Sequence, residues 1–263
     1  MANAMAWHGP AYLDDGWAPA PRYLMRRSRI LHHLRRLGPG RALEIGSASG
    51  ALLSELAEDG FDCTGLETSA QALALAQRKN GDAITFFEKP SDEWREHYDY
   101  CMAFEVLEHI EKDAAAIVEW ANWLRPGGKL ILSVPAHPRL WNARDVWAGH
   151  IKRYRRSDLE YVCASAGLRI DALECYGFPL ANILEFLIAR KYRGITKDDA
   201  VKDGYDANNQ TAQSGVERSL DVKLFPIYGR LPGSLVLRSM IFLQKLFLRF
   251  GLGNGYFVVA TKL

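Results

Sequence analysis

One stretch limits the folds open to this chain more than any other: Ala42-Leu-Glu-Ile-Gly-Ser-Ala-Ser-Gly50, followed by a helix-like run and then by Leu66-Glu67. It reads as a buried strand, a tight glycine turn and a helix, then a second strand ending in a carboxylate. Small residues at 46, 48 and 50 let backbone approach a ligand where a Cβ would block it. Glu67, at the tip of the neighbouring strand, is placed to accept hydrogen bonds from two ribose hydroxyls. The pattern predicts nucleoside binding.

The flanking sequence repeats the same period. Residues 20–37 read as a basic amphipathic helix that stops at Gly38-Pro39-Gly40. Short apolar runs at 41–45, 62–66, 83–87, 98–103 and 129–134 then alternate with helix-like segments near 50–59, 69–79, 111–124 and 157–166. Such alternation argues for a parallel sheet covered by helices on both faces. Ser69 is a helix N-cap candidate, and Pro126-Gly127-Gly128 reads as the turn into the 129–134 strand. After about 168–177 the alternation stops. Residues 179–193 read as helix, 194–221 as polar loop, 222–250 as apolar and basic, and Tyr256–Lys262 as the last strand. The segment 179–250 is thus an insertion between the final two strands.

Bulk numbers exclude several classes. At 263 residues the chain can bury a full core, and 33 Lys+Arg against 31 Asp+Glu gives no charge excess that asks for a nucleic-acid partner. Cys63, Cys101, Cys163 and Cys175 lie far apart, without the close pairs of a zinc site, and no metal is expected. Residues 1–10 show no basic region leading into an apolar stretch, and the apolar run around 235–250 is broken by Arg238, Lys245 and Arg249. The expectation is a cytoplasmic protein.

In an open α/β sheet, ligands bind beyond the carboxyl ends of the strands. The unusual residues of this chain collect there. Gly46 to Gly50 follow the first strand, Glu67 ends the second, Phe104-Glu-Val-Leu-Glu-His109 follows the fourth, and Pro135-Ala-His-Pro-Arg-Leu-Trp141 follows the fifth. A dinucleotide fingerprint counted from Gly46 needs a third glycine at 51, where Ala51 stands; the pattern is instead E-x-G-x-A-x-G. That argues against a nicotinamide dehydrogenase.

The chain resembles the class I S-adenosylmethionine-dependent methyltransferases, and within them the small-molecule group related to ubiquinone-biosynthesis enzymes. The resemblance rests on Leu43-Glu-Ile-Gly-Ser-Ala-Ser-Gly50, Val106-Leu-Glu-His-Ile110, Leu124-Arg-Pro-Gly-Gly-Lys-Leu130 and the pattern Val134-Pro-Ala…Trp141…Asp145…Gly149-His150…Arg153-Tyr154. It implies a doubly wound, Rossmann-like α/β sheet, mostly parallel, with an antiparallel last strand and a helical insertion or lid. Residues 1–40 would form an N-terminal helical cap, 41–178 with 251–263 the cofactor-binding domain, and 179–250 the cover over the acceptor site.

The resemblance also implies roles. Gly46, Ala48 and Gly50 would bring backbone against the amino-acid part of the cofactor. Ala48 departs from the usual glycine and is expected to fit with negative φ. Glu44 would orient that loop or contact the methionine amino group, Glu67 would take the ribose hydroxyls, and Phe104 would lie near the methionine moiety. Glu105 would brace the loop. Tyr23 and Arg27, one helical turn apart, match an aromatic and an arginine that cover the cofactor; Arg27 could pair with its carboxylate or belong to a solvated face with Arg22, Arg26 and Arg29. The adenine contact near Glu88–Ser91 stays unassigned.

The sulfonium methyl is already a strong electrophile, so placement supplies most of the acceleration, on the order of 7–11 kcal/mol at best. If the acceptor must lose a proton, His150 is the first candidate base, with His109 and Tyr154 in reserve. Each also has a structural reading: His109 and His150 bracing their loops, Tyr154 donating one hydrogen bond. His137 and Trp141 would shape the acceptor pocket.

Acceptor choice would lie in 179–250. Its apolar residues fit a lid over the active site, the interface of a homodimer, or peripheral membrane contact through 222–250, which carries Lys223, Arg230, Arg238, Lys245 and Arg249 and no acidic residue. The leading reading is methyl transfer to a small, hydrophobic or amphiphilic acceptor, with O-methylation favoured over C- or N-. The alternatives are a non-methylating reaction on the same fold, such as a cyclisation, and a catalytically silent binding module.

Overall fold

The computed structural model describes residues 6–191 and 219–263. In chain order the strands are β1 (Arg41–Ile45), β2 (Asp62–Leu66), β3 (Thr85–Phe87), β4 (Tyr98–Phe104), β5 (Leu124–Pro135), β6 (Leu168–Tyr176) and β7 (Gly255–Lys262). The described helices are α1 (Pro21–Leu37), α2 (Ala51–Glu58), α3 (Ala70–Asn80), α4 (Asp113–Trp123), α5 (Ala143–Trp147), α6 (Arg156–Ser165), α7 (Leu180–Lys191), α8 (Ser219–Gly229) and α9 (Gly233–Leu243). The polar stretch read as loop over 194–221 lies almost wholly outside the described residues.

The seven strands form one sheet in the order β3-β2-β1-β4-β5-β7-β6. Pairings from β3 across to β5 are parallel, and β7 runs antiparallel between β5 and β6, so the expected mixed sheet is present. The strand order reverses beside β1, with β2 on one side and β4 on the other, which opens a crevice at the carboxyl ends of all three.

Alternate residues serve two cores, as the pleat requires. Leu43, Ile117, Trp120, Leu130 and Val258 pack on one face, and Met25, Leu34, Ala42, Leu53, Leu56 and Val259 on the other. Helix α1 therefore shares a core with β1 and α2. Arg29 and His33 also tie α1 to β6: Arg29 donates to Glu174 at 2.6 and 2.8 Å, and His33 Nε2 lies 3.0 Å from the same carboxylate.

Two element boundaries differ from expectation. Strand β5 begins at Leu124, before Pro126-Gly127-Gly128, because Tyr98 pairs with Leu124 and Tyr100 with Lys129. The expected turn is taken up as a bulge within the strand. The apolar run at 235–250 is not one helix. Helix α9 ends at Leu243, where buried Gln244 donates to the Met25 carbonyl and accepts from Gly177 N, both at 3.0 Å. This anchor turns the chain so that Leu248 enters the core. Helix α9 touches α1 and α7 touches α5, yet Phe186, Val236, Phe242 and Phe250 stay 57–70% exposed. Among the described residues no helix is long and apolar enough to cross a membrane.

Candidate functional site

The loop after β1 is built by backbone conformation. Gly46 and Gly50 have φ of +70° and +69°, and a Cβ on them would meet Val106 Cγ2 at 2.7 Å and Asn80 Nδ2 at 2.6 Å. Their smallness is thus required by the turn and by the chain's own side chains, not only by a ligand. The negative φ expected of Ala48 is corrected: its φ is +46°, in the left-handed region where a Cβ costs about 1–2 kcal/mol.

Glu67 holds that conformation in place. Its Oε2 accepts from Ala48 N and its Oε1 from Ser69 N, both at 2.8 Å. Glu44, at the end of β1, is 6% exposed, and its Oε2 accepts no hydrogen bond. Burial pushes its carboxyl up to about 8, despite Arg26 nearby. Tyr23 lies on the same side, with its ring edge-on to Trp17 at 5.7 Å and the Arg26 guanidinium 5.7 Å from its centroid.

The Arg27 guanidinium, close enough to act on the Tyr23 phenol, turns to α2. It forks onto Glu55 of α2, with Nε 2.6 Å from Oε2 and Nη2 bonded to Oε1, and donates to the Trp7 carbonyl at 3.2 Å. The arginines that face the β4 end are its neighbours. Arg22 reaches Glu105 at 2.9 Å and Arg26 reaches it at 3.4 Å. The alternative of a solvated face shared by Arg22, Arg26, Arg27 and Arg29 does not hold for Arg22 and Arg26, because spacing alone does not say which side of α1 is buried.

Glu105 is more than a brace. It has φ +59°, and its Oε1 accepts from Ser133 Oγ and Tyr176 OH at 3.1 Å each. Burial raises its carboxyl, but Arg22 and Arg26 outweigh that and hold it at about 2. A left-handed non-glycine residue fixed by four side chains is strain kept by its surroundings. Phe104 lies beside it, with its ring stacked on Phe257 at 6.5 Å and the Arg26 guanidinium 6.0 Å from its centroid.

The catalytic candidates separate into two groups. Tyr154 is fully buried, its hydroxyl 3.0 Å from Asp113 Oδ2 and 3.2 Å from the Leu107 carbonyl. Burial and Asp113 push its phenol far up, and its two hydrogen bonds pin the loop. His109 and His150 do come together, with rings 5.0 Å apart. His150 Nδ1 lies 2.9 Å from Asp145 Oδ1, and His109 Nδ1 lies 3.2 Å from the Gly149 carbonyl. Burial, with His150 alongside, lowers the His109 imidazole to about 4.

Between them stands Glu108, which the sequence reading passed over as part of a motif. It is 0% exposed, and neither carboxylate oxygen accepts a hydrogen bond from another residue. Burial and the nearby Glu105 raise its carboxyl well above the usual range. Its Oε1 lies 3.8 Å from His150 Nε2.

Arg153 fixes the His150 loop. It donates to both oxygens of Asp145 at 2.8 Å and also bonds Glu185 of α7. Asp145, in a capping box with Asn142, is held at about 2: burial would raise it, but His150 and Arg153 prevail. Arg153 thus belongs to the interior. His137, with φ +61°, lies 3.4 Å from Tyr256 OH.

A family model described as a methyltransferase domain matches residues 22–173. The chain is similar to ubiquinone biosynthesis O-methyltransferases, at 27% identity to that of Sodalis glossinidius over 137 residues, 49% of this chain and 55% of the relative. It is 29% identical to that of Aromatoleum aromaticum over 100 residues, 35% of this chain and 43% of the relative. The chain spans about half the length of the curated relatives it matches. In fold it is similar to an S-adenosylmethionine-dependent methyltransferase from Mesorhizobium loti (TM-score 0.56, 15% identity, covering 95% of this chain and 100% of that one). It is also similar to phosphoethanolamine N-methyltransferase 2 of Haemonchus contortus (TM-score 0.55, 18% identity, covering 90% and 52%). Because the family model extends from α1 into β6 and takes in both clusters of acidic residues at the strand ends, the chain belongs to the methyltransferase domain family, in its class I, S-adenosylmethionine-dependent branch.

Proposed function

We propose that this protein holds S-adenosylmethionine in the crevice above β1, β2 and β4 and directs its methyl group to a small hydrophobic or amphiphilic acceptor. Oxygen is favoured as the atom methylated. The observation that carries the reading is Glu44. A buried carboxylate oxygen with no donor is costly, and the ammonium of the cofactor's amino-acid part would satisfy it. Glu67 spends one lone pair of each oxygen on the loop and keeps the others for ribose hydroxyls. Tyr23 and Arg26 would cover the cofactor, and Gly46, Ala48, Gly50 and Phe104 would border it with backbone.

When bound, the cofactor supplies a methyl group on a positively charged sulfur, so this chain's task is alignment. His150 is the favoured base. Asp145 accepts its Nδ1 proton, which leaves the lone pair on Nε2 and stabilises the imidazolium that forms. The name of the distant relatives, O-methyltransferase, supports oxygen. The exposed apolar faces of α7 and α9, with Arg238, Lys245 and Arg249 in the same segment, favour an acceptor met at a membrane surface.

Calorimetry with S-adenosylmethionine tests the first step, and absence of binding sinks the reading. A screen of lipophilic metabolites for a gain of about 14 mass units (one methylene net), with stoichiometric S-adenosylhomocysteine, tests the second. Cofactor bound but never consumed alongside product would point to a cyclisation or rearrangement instead. Co-sedimentation with anionic vesicles tests the membrane contact; recovery of all the protein in the supernatant dismisses it.

A further inference from the structure

Two guanidiniums at the carboxyl end of β4 share one carboxylate. Arg22 Nη2 lies 2.9 Å from Glu105 Oε2, and Arg26 Nη1 lies 3.4 Å from Oε1. We propose that Arg22 recognises a carboxylate carried by the acceptor, so that the substrate class is an amphiphilic acid and not a neutral lipophile. This deepens the methyl-transfer reading, and rests on it.

Three observations converge. The first is that Nε and Nη2 of Arg22 are buried and make no hydrogen bond; the contact with Glu105 is an ion pair alone. Glu105 Oε1 is already occupied, since it accepts from Ser133 Oγ and Tyr176 OH. A planar guanidinium whose N–H groups are stripped of water matches the two oxygens of a carboxylate, whereas a neutral acceptor would leave those groups bare.

The second is placement. Arg22 and Arg26 stand one helical turn apart on α1 and keep different company. Arg26 lies 5.7 Å from the Tyr23 ring centroid and 6.0 Å from that of Phe104, within electrostatic reach of Glu44, at the end proposed for the cofactor. Arg22 is within electrostatic reach of Glu108 and Glu185 as well as Glu105 and Tyr176. Glu108 adjoins His109, and Glu185 bonds Arg153 of the His150 loop, so Arg22 is turned to the acceptor side.

The third is charge. Burial raises the carboxyls of Glu44, to about 8, and of Glu108, so neither fully opposes the arginines at neutral pH. Glu185 is taken by Arg153, and Asp145 by Arg153 and His150. Glu105 therefore answers one of the two guanidiniums, and among the described residues one positive charge is left over. A bound cofactor carries two positive groups and one negative, so with Glu44 ionised against its ammonium the surplus stands. One surplus charge suits a monoanion, which favours a carboxylate over a phosphate dianion. Arg22 also stands in the first turn of α1, where neither an acidic nor a capping side chain offsets the positive end of the helix dipole; an arriving carboxylate would.

The experiment titrates phenylacetate, phenylacetamide and benzyl phosphate at neutral pH into the full chain saturated with S-adenosylhomocysteine, followed by ligand-observed NMR. Phenylacetate should bind at least tenfold tighter than its amide, and tighter than the phosphate. Arg22→Met should abolish the preference for the acid while leaving the affinities for the amide and for S-adenosylhomocysteine within about threefold. Arg156→Met, at an exposed arginine of α6, should keep the preference whole. Should Arg22→Met fail to fold, Arg22→Lys decides, because it keeps the charge and loses the fork: the acid should bind at least threefold more weakly and the amide as before. No binding of phenylacetate, no preference over the amide, tighter binding of the phosphate, or a preference untouched by the Arg22 variants overturns the proposal. S-adenosylhomocysteine bound without a preference for the acid removes the arginine site alone. Failure of S-adenosylhomocysteine to bind sinks the methyl-transfer reading, and the three compounds titrated into the bare chain then test Arg22 by themselves.

Discussion

Glu67 Oε2 accepts a hydrogen bond from the backbone nitrogen of Ala48 at 2.8 Å, so the carboxylate at the tip of β2 fixes the loop at the tip of β1. One residue therefore serves both the shape of the crevice and, by our proposal, the ligand within it. Hydrogen bonds to a charged group contribute about 1.5–3 kcal/mol. Glu67→Ala should weaken S-adenosylmethionine binding at least tenfold by calorimetry and also lower the melting temperature. Unchanged affinity removes Glu67 from the site.

Ala48 sits at φ +46°. Ala48→Gly removes a strain of about 1–2 kcal/mol and adds about 0.4–1 kcal/mol of unfolded-chain entropy. The net expectation is a gain of up to about 1.6 kcal/mol in urea titration, with cofactor affinity retained. A loss of stability would show that the Cβ makes a contact worth more than the strain.

Arg26 and Arg27 are adjacent in sequence and opposite in role. Arg27→Met should cost stability through the loss of its fork onto Glu55 while leaving cofactor affinity within about threefold. Arg26→Met should weaken affinity by more than that. The reverse order, read by the same calorimetry, would return Arg27 to the cofactor side.

Tyr154→Phe removes a hydroxyl that lies 3.0 Å from Asp113. We expect a loss of about 1–3 kcal/mol, because a buried carboxylate loses a donor. Cofactor affinity should not change. If stability is unaffected and turnover of an identified acceptor falls a hundredfold, the tyrosine is a base after all.

Glu174 carries a pH dependence. Burial would raise its carboxyl, but His33 and Arg29 bring it down from 4.5 to about 2. A carboxyl lowered in the folded state stabilises fully above about pH 4.5, and the contribution fades as pH falls towards 2. Its size is on the order of 3 kcal/mol. Glu174→Gln should therefore lose stability at pH 7 and show a shallower acid limb than the wild type between those values. Parallel limbs in chemical denaturation would refute the pairing.

The sheet was legible because each of its parallel strands is a short apolar run closed by a turn, and periodicity reports that directly. The β5 boundary was not, because Pro126-Gly-Gly has the composition of a turn whether it ends a strand or bulges within one. At the site, Gly46, Gly50 and Glu67 stood out because backbone conformation restricts the residue types that fit. Glu108 and Asp145 did not, since an acidic residue on a line of sequence gives no sign that it will be stripped of water. Arg27 was favoured over Arg26 by spacing from Tyr23, and a helix face is settled by what lies opposite, here Glu55 on one side and Glu105 on the other.

Glu185 of α7 is shared by Arg153, Asn142 and Asn254, which joins the covering helix to the loop that orients His150. By our proposal α7 roofs the site and this loop handles the proton, which would make the two one mechanical piece. On that proposal a guest bulky enough to lever the roof aside would drag Arg153 off Asp145 and leave the imidazole misaligned, so oversized molecules should be refused by loss of reactivity even where they find room to enter.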